Sequence, residues 1–247
     1  MPNYLLQLSF DGTRYHGWQL QESDRTVQGE MELAIGKIFG SASRVSGCSR
    51  TDAGVHAENF ICNFHAKKQM DPFKMRAALN FYLPDDIVVK ECRTVPDDFH
   101  ARFSCIGKEY IYRIWNGRVR NPFFNAQALH INYPLDDELM NRAAKFYIGE
   151  HDFSAFCASG SSALSTVRTV TDASVEREGD MVLFRVSANG FLYNMVRIMA
   201  GTLIYVSNGK VAIEDLPKIV EGGNRKSAGY TVPPHGLYLN QIYYGSE

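Results

Sequence analysis

The order of apolar and polar residues predicts that strands and helices alternate along the first half of the chain. Alternating apolar positions are typical of strands, and an apolar face at helical spacing follows Thr26. Asp71 and Pro72 form a typical helix start, and Leu83 and Pro84 end that helix. Strands are predicted at Asn3–Phe10, Arg44–Cys48, Phe60–Phe64 and Ile87–Val95. The resulting order, β-α-β-β-α-β, is typical of a ferredoxin-like unit.

The second half repeats this order with additional elements. Strands are predicted at Tyr110–Trp115, Ala128–Ile131, Val167–Val175, Val182–Val186 and Leu237–Tyr244, and helices at Leu139–Tyr147, Phe191–Val206 and near Leu216. Gly149 is expected to close the first of these helices. We therefore expect an α+β fold of two ferredoxin-like (RRM-like) halves, at residues 1–103 and 104–247. Their antiparallel sheets should join, with an active-site cleft between the halves.

Composition describes an ordinary globular protein. Of the 247 residues, 45% are hydrophobic and 21% are charged, and no run of about twenty apolar residues predicts a membrane span. The start of the chain lacks the basic head and apolar run of a signal peptide, so we expect a cytoplasmic location. The five cysteines are an odd, scattered set, typical of free thiols in a reducing compartment.

Charge is uneven, although the net charge is only −1. Between His100 and Arg120, several basic residues stand against the single acid Glu109. The basic residues are Arg102, Lys108, Arg113, Arg118 and Arg120. A local basic stripe of this kind can follow a phosphate backbone, and it can equally be a solvated strand edge that charge protects from pairing.

The segment with the clearest chemistry is Arg50-Thr51-Asp52-Ala53-Gly54-Val55-His56-Ala57. It places the carboxylate of Asp52 between the basic groups of Arg50 and His56, and nearby positive charge favours the ionised form. Small neighbours let a planar substrate come close. The same pattern is also typical of a turn that begins with aspartate and has a structural role only.

A second candidate group lies on the long apolar helix. Arg197 is one turn from Asn194 and one turn from Gly201, which gives the helix a polar and small stripe. An unpaired buried guanidinium is costly, so Arg197 must either reach solvent or meet an anion. The carboxylate of Asp52 is the candidate anion.

Two further features bear on binding. Tyr110 and Tyr112 share one face of a strand, where aromatic rings suit base stacking and core packing equally well. Two cysteines and two histidines (Cys48, His56, Cys62 and His65) match no paired zinc-binding pattern. We therefore expect no metal site.

The chain resembles the tRNA pseudouridine synthase A family in several blocks that occur in the family's order. These blocks run from about residue 4 to 244 and are Phe10–Thr13, Tyr15–Gln19, Gly47–Ala57, Ala101–Ser104, Tyr110–Tyr112, Phe191–Arg197 and Gly236–Leu239. Two positions depart from the family pattern. Glu109 places an acid beside the tyrosine, and Val232 precedes two prolines where alanine is frequent.

The resemblance implies an activity and partners. The expected reaction isomerises uridine to pseudouridine in the anticodon stem-loop of tRNA, at positions 38, 39 and 40. Neither a cofactor nor a metal is implied. A homodimer whose subunits share one tRNA is expected, with no membrane association.

The resemblance also implies roles for individual residues. Asp52 matches the essential aspartate, and Arg50 matches the residue that fills the gap left by the flipped nucleotide. Tyr110 matches the ring that stacks on the target uracil, Arg197 the salt-bridge partner of the aspartate, and Leu237 an apolar contact with the base.

The reaction leaves the first step open. Attack of the carboxylate at C1′, its addition at C6 and abstraction of a ribose proton all begin with an ionised Asp52. Two other classes of protein are the alternatives, an RNA-binding module without activity and a hydrolase. The first does not need a paired carboxylate, and the second usually shows a second carboxylate or a metal set.

Overall fold

The chain contains both helices and strands, and most of the strand pairs are antiparallel, so the fold is mixed α+β. The structure, a computed structural model, describes residues 1–41 and 43–245. It divides into two units. Unit 1 contains residues 1–106 and the segment from Leu239, and unit 2 contains Gly107–Tyr238. In unit 1 the first elements are β1 (Asn3–Phe10), α1 (Val27–Phe39), β2 (Ser46–Gly47), β3 (His56–His65), α2 (Pro72–Tyr82) and β4 (Ile87–Val95).

The strands of unit 1 are arranged around β1, which is buried along most of its length. It pairs antiparallel with β3 on one side and with β4 on the other, and β2 pairs with β3. Side chains cap both helices at their first turns, because the hydroxyl of Thr26 accepts the Gly29 amide and the carboxylate of Asp71 accepts the Lys74 amide.

The predicted elements of unit 1 are confirmed at β1, α1, α2 and β4. The predicted strand at Arg44–Cys48 is shorter than expected, since only Ser46 and Gly47 pair with β3. The predicted strand at Phe60–Phe64 is longer in the structure, because β3 already starts at His56, within the segment Arg50–Ala57.

The paired strands of unit 2 follow the order β5-β9-β8-β7. The elements of this unit are β5 (Cys105–Trp115), β6 (Leu129–His130), α3 (Asp137–Ala144), β7 (Gly149–Asp152), β8 (Val167–Glu178), β9 (Met181–Ala188), α4 (Met195–Ser207) and α5 (Leu216–Glu221). The pairs β5–β9, β8–β9 and β7–β8 are antiparallel, and β6 is parallel to β5. Strand β10 (Leu237–Tyr244) follows, and its residues from Leu239 lie next to β3 in unit 1.

Two predicted elements of unit 2 differ from the structure. Helix α4 begins at Met195 rather than near Phe191, because Asn194 adopts a left-handed backbone conformation (φ 59°) that a helix cannot continue through. Gly149 does not only close the preceding helical segment, as it also begins strand β7. Its φ of 122° explains why glycine occupies this position.

Helix α4 is the central helix of unit 2, and nearly all of its residues are buried. Short 3-10 helices occur at Gly12–Arg14, Pro122–Phe124, Lys145–Tyr147, Phe153–Phe156, Ile213–Asp215 and Pro234–Gly236. In residues 1–41 and 43–245, every helix is too short or too polar to cross a membrane.

Candidate active site

Asp52 lies on a tight turn between β2 and β3, in a segment that we call the aspartate loop (residues 50–56). The carbonyl of Asp52 accepts the amide of Val55 at 3.2 Å, which closes the turn. Gly54 has a φ of 75°, as the third residue of such a turn requires. Asp52 itself is half-buried, whereas Thr51 and Val55 on either side are buried. The turn therefore projects the carboxylate from an anchored backbone.

A second segment, which we call the cradle loop (residues 11–18), packs against the aspartate loop. The amide of Trp18 donates to the carbonyl of Thr51, and the amide of Gly54 donates to the carbonyl of Tyr15, each at 3.2 Å. Both bonds join backbone to backbone. They fix the two sides of the Asp52 turn independently of any side chain.

The close contact between the two loops requires glycine at two positions of the cradle loop. A Cβ at Gly12 would overlap the carbonyl oxygen of Val55, and a Cβ at Gly17 would overlap the carbonyl oxygen of Thr51. Gly17 also has a φ of 85°, which other residues rarely adopt. The sequence pattern did not indicate these two glycines as functional residues, although both lie in the family-like blocks.

His56 links the same two loops through its side chain. Its ring is 2% exposed, and Nδ1 accepts the Gly12 amide at 3.0 Å. The sequence indicates a basic partner for Asp52 at this position. The structure assigns the ring a structural contact in the loop junction.

Tyr15 anchors the cradle loop to the start of β4. Its hydroxyl donates to the carboxylate of Asp86, which also binds the guanidinium of Arg14. Burial raises the pKa of the Tyr15 hydroxyl well above its usual value, and the hydrogen bond to Asp86 raises it further. Arg25 lies over the ring at 4.9 Å from its centre. Tyr15 therefore remains a protonated hydrogen-bond donor.

Arg197 is held by two contacts in unit 2. Its Nε donates to the carbonyl of Val232 and one terminal nitrogen donates to Oδ1 of Asn194, both at 2.7 Å. Asn194 precedes α4 in a left-handed backbone conformation, and its side chain contacts Arg197 in the first turn of the helix. Arg197 was expected either to reach solvent or to find a partner. Two partners of its guanidinium, Val232 and Asn194, lie within unit 2.

The small and polar stripe on α4 contacts the segment 229–232. A Cβ at Gly201 would overlap the carbonyl of Tyr230, and the hydroxyl of Thr202 accepts the Gly229 amide at 2.8 Å. Glycine at position 201 therefore permits the approach that gives Arg197 its carbonyl partner on Val232.

The two tyrosines of β5 have different environments. Tyr112 is fully buried and donates its hydroxyl to the carbonyl of Pro233 at 2.7 Å, so it is a core residue. Tyr110 is 6% exposed, and its ring meets that of Phe191 edge to face at 5.2 Å. Leu237, at the start of β10, is also buried.

The structure places the predicted residues in two groups. Arg50 and Asp52 lie on the aspartate loop of unit 1, and Tyr110, Arg197 and Leu237 lie in unit 2. Among the described residues, no three histidine, cysteine, aspartate or glutamate side chains are arranged to hold a metal ion. Burial raises the pKa of the Cys62 thiol well above its usual value, so this thiol stays protonated.

Comparison with known proteins identifies related sequences. The sequence profile of a family described as tRNA pseudouridine synthase matches residues 8–104 and 143–245. The tRNA pseudouridine synthase A of Acetivibrio thermocellus is 47% identical over 99% of this chain and 100% of its own length. The tRNA pseudouridine synthase A 2 of Clostridium perfringens is 41% identical over the same shares of the two chains.

Among solved structures, one similar chain belongs to a crystal structure of a Cbf5-Nop10-Gar1 complex. The match covers 95% of this chain and 57% of the other, with 14% identity and a TM-score of 0.36. A similarity at this level supports no conclusion about either fold or function.

Proposed function

This chain belongs to the tRNA pseudouridine synthase family, and on that premise we propose that it modifies the anticodon stem-loop with Asp52 as the catalytic residue. The family assignment makes the protein an isomerase that converts uridine in tRNA to pseudouridine. The proposed targets are positions 38, 39 and 40. No cofactor or metal is assigned a role in the reaction.

One observation carries the assignment of Asp52. Its carboxylate projects from a turn that two backbone hydrogen bonds and two obligatory glycines of the cradle loop hold in place. A structural aspartate at the start of a turn would need no such support, because its own bonds to the backbone would suffice. Precise placement of a reacting group is a general requirement of catalysis.

Arg197 is the proposed salt-bridge partner of Asp52. Its contacts with Val232 and Asn194 orient the plane of the guanidinium. A guanidinium held in this way can bind a carboxylate in bidentate geometry and favour its ionised form. The proposed pair keeps Asp52 ready to react at neutral pH.

The reaction rearranges one nucleotide without net redox change or added water. The N-glycosidic bond between C1′ and N1 breaks, the uracil turns, and a bond forms between C1′ and C5. The proton that leaves C5 is matched by the proton that N1 gains. Attack at C1′, addition at C6 and abstraction of a ribose proton remain the alternative first steps, and each uses the ionised carboxylate.

The target base must leave the RNA stack before it can react, which costs a few kcal/mol. We propose that Arg50 fills the gap in the stack and that Tyr110 stacks on the extruded uracil, each offsetting part of this cost. Leu237 is the proposed apolar contact with the base. The exposure of Arg50 is consistent with its proposed role.

We also propose the finer architecture that the family leads us to expect. Two ferredoxin-like halves, at residues 1–103 and 104–247, share a joined antiparallel sheet and a cleft that holds the base. In unit 1, β1 lies between β4 and β3, and β2 pairs with β3. These pairings support the first half, because a ferredoxin-like sheet has them too. The proposed assembly is a homodimer that shares one tRNA and acts in the cytoplasm.

Chemical mapping of pseudouridine in tRNA incubated with the protein tests the function. We expect Asp52→Ala to abolish product while tRNA binding is retained, because the variant removes only the reacting carboxylate. Asp85→Ala is the matched control, since Asp85 is exposed in unit 1 and lies outside both loops. Product formed by Asp52→Ala at the rate of the control would refute the role of Asp52.

A further inference from the structure

A small cavity in unit 1 lies beside the aspartate loop. Its volume is about 120 Å³. The lining residues are mostly basic or polar. They include Trp18, Arg44, Gly47, Arg50, His100 and Arg102. Only Arg50 among them has a role in the proposed reaction.

Three arginines converge on this cavity without a matching acid. Arg44, Arg50 and Arg102 are exposed, and within residues 1–41 and 43–245 none of them forms an ion pair. Among the residues that the structure describes, no carboxylate lines the cavity. The neighbouring Glu32 instead binds the side chain of Gln28 and the amide of Val45. Like charges close together repel, so their convergence favours a bound anion.

Hydrogen bonds hold the turn at residues 100–104, on one side of the cavity. Ser104 donates its amide to the carbonyl of His100 at 2.9 Å and accepts the His100 amide on its hydroxyl at 3.2 Å. Nδ1 of His100 accepts the Arg102 amide at 3.1 Å, so the ring proton is on Nε2. The turn therefore presents the Arg102 side chain and a histidine N–H donor at one rim.

Close packing holds Trp18 and Gly47 at another side of the cavity. Trp18 is buried and stacks on Phe60 with 4.1 Å between ring centres. A Cβ at Gly47 would lie 2.5 Å from the Trp18 ring, so a larger residue there would displace the indole. Guanidinium groups are well suited to bind a phosphate, because their planar set of donors can form two hydrogen bonds with it.

We propose that this cavity binds a backbone phosphate of the RNA strand, next to the nucleotide that Arg50 replaces. The assignment rests on the proposed function, since it takes RNA as the substrate and Arg50 as the residue that enters the stack. Arg44 and Arg102 neutralise the phosphate from two sides, and His100 donates from the rim. The strand is thereby held at a fixed distance from the aspartate loop.

Variants of Arg44 and Arg102 test the site without changing the reacting groups. For Arg44→Gln and Arg102→Gln we expect the Kd and KM for tRNA to rise about tenfold, because a charged hydrogen bond is lost. The slope of log K against log salt should fall by about one for each variant. Arg102→Lys should restore the slope but not the full affinity, because it keeps the charge and loses the fork of donors. Arg93→Gln, an exposed arginine on β4, is the matched control.

A neutral linkage in the RNA identifies the phosphate. A series of anticodon stem-loops, each with one methylphosphonate near the target uridine, should contain one position that weakens binding to the wild-type protein. The same substitution should cause a smaller loss in Arg102→Gln than in the wild-type protein, because the contact with Arg102 is already absent. Additive losses at every position would overturn the proposal.

Two further measurements decide what the cavity binds and whether Asp52 reacts. In the absence of RNA, inorganic phosphate is titrated against the protein. Saturable phosphate binding would assign the cavity to a free anion if Arg102→Gln also left the salt dependence of tRNA binding unchanged. These two results together would overturn the proposal. The catalytic role of Asp52 is tested separately. It requires that Asp52→Ala forms no product while the salt dependence of its tRNA binding stays at the wild-type value, so product formation by this variant would refute that role alone. The Tm of each variant is measured by thermal unfolding. A Tm equal to that of the wild-type protein excludes misfolding as the cause of weaker binding.

Discussion

The aspartate loop and the region around Arg197 hold their key side chains in opposite ways. Two backbone bonds with the cradle loop position Asp52, one donated by the Trp18 amide and one accepted by the Tyr15 carbonyl. Arg197 is instead positioned by contacts of its own side chain with Val232 and Asn194. A backbone-held group is insensitive to most side-chain changes but depends on the residues that allow two backbones to touch. A group held by its side chain depends on single partners.

The largest effect is therefore expected at a glycine of the cradle loop. Gly12→Ala places a methyl group against the Val55 carbonyl, and the backbone must move to accommodate it. We expect the free energy of unfolding to fall by about 3 kcal/mol. Activity measured well below the Tm should fall as well, because the Asp52 turn is displaced.

The control for this change is another glycine of unit 1. Gly36 lies in the interior of α1, where a Cβ would be 4.0 Å from the carbonyl oxygen of Ser41, the nearest atom outside the helix backbone. Gly36→Ala should raise stability by about 0.5–1 kcal/mol, because alanine is the better helix former. Denaturant unfolding of both variants measures the contrast, and equal stabilities would show that the loop junction is not tightly constrained.

A change in the guanidinium of Arg197 ranks second. Arg197→Lys keeps the charge but loses the planar fork that can bind Val232, Asn194 and a carboxylate at once. We expect kcat/KM to fall about a hundredfold, the scale of losing one oriented donor at an active site. Arg142→Lys on α3 is the control. Near-normal turnover by Arg197→Lys would show that charge alone suffices there.

Removal of the side-chain partner of Arg197 should have a smaller effect. Asn194→Gly tolerates the left-handed backbone but lacks the oxygen that accepts from Arg197. We expect kcat to fall about tenfold. Asn194→Asp keeps an acceptor and should retain more activity, and the same loss in both variants would assign the position to backbone conformation alone.

The smallest effect is expected at the outer support of the cradle loop. Tyr15→Phe removes the donor to Asp86 and should lower the free energy of unfolding by about 1 kcal/mol with little change in kcat. The raised pKa of Tyr15 means that the folded protein holds this proton more tightly than the unfolded chain. The contribution of this hydrogen bond to the free energy of unfolding is therefore fully present below the ordinary tyrosine pKa of about 10 and declines above it. Unfolding measured from pH 8 to 11 should show a weaker alkaline decline in Tyr15→Phe.

Much of the fold could be predicted because its signals are local. The alternating residues Phe60, Cys62 and Phe64 indicate β3, and the Asp71-Pro72 start indicates α2. The start of α4 could not be predicted, because apolar spacing continues through Phe191 and Leu192 while the left-handed backbone of Asn194 interrupts the helix. Strand β7 is short and polar, so only its pairing with β8 makes it a strand.

The sequence by itself determined the family, the isomerase activity on tRNA and the residue types available for chemistry, because those depend on motifs that are contiguous in the chain. Only the tertiary structure decided that Gly12 and Gly17 support the aspartate loop and that Asn194 orients Arg197. It also decided that Tyr112 is a core residue. The physical reason is that close backbone contacts and hydrogen bonds join segments that are distant along the chain. The spacing of residues in the sequence does not show which distant segments contact each other.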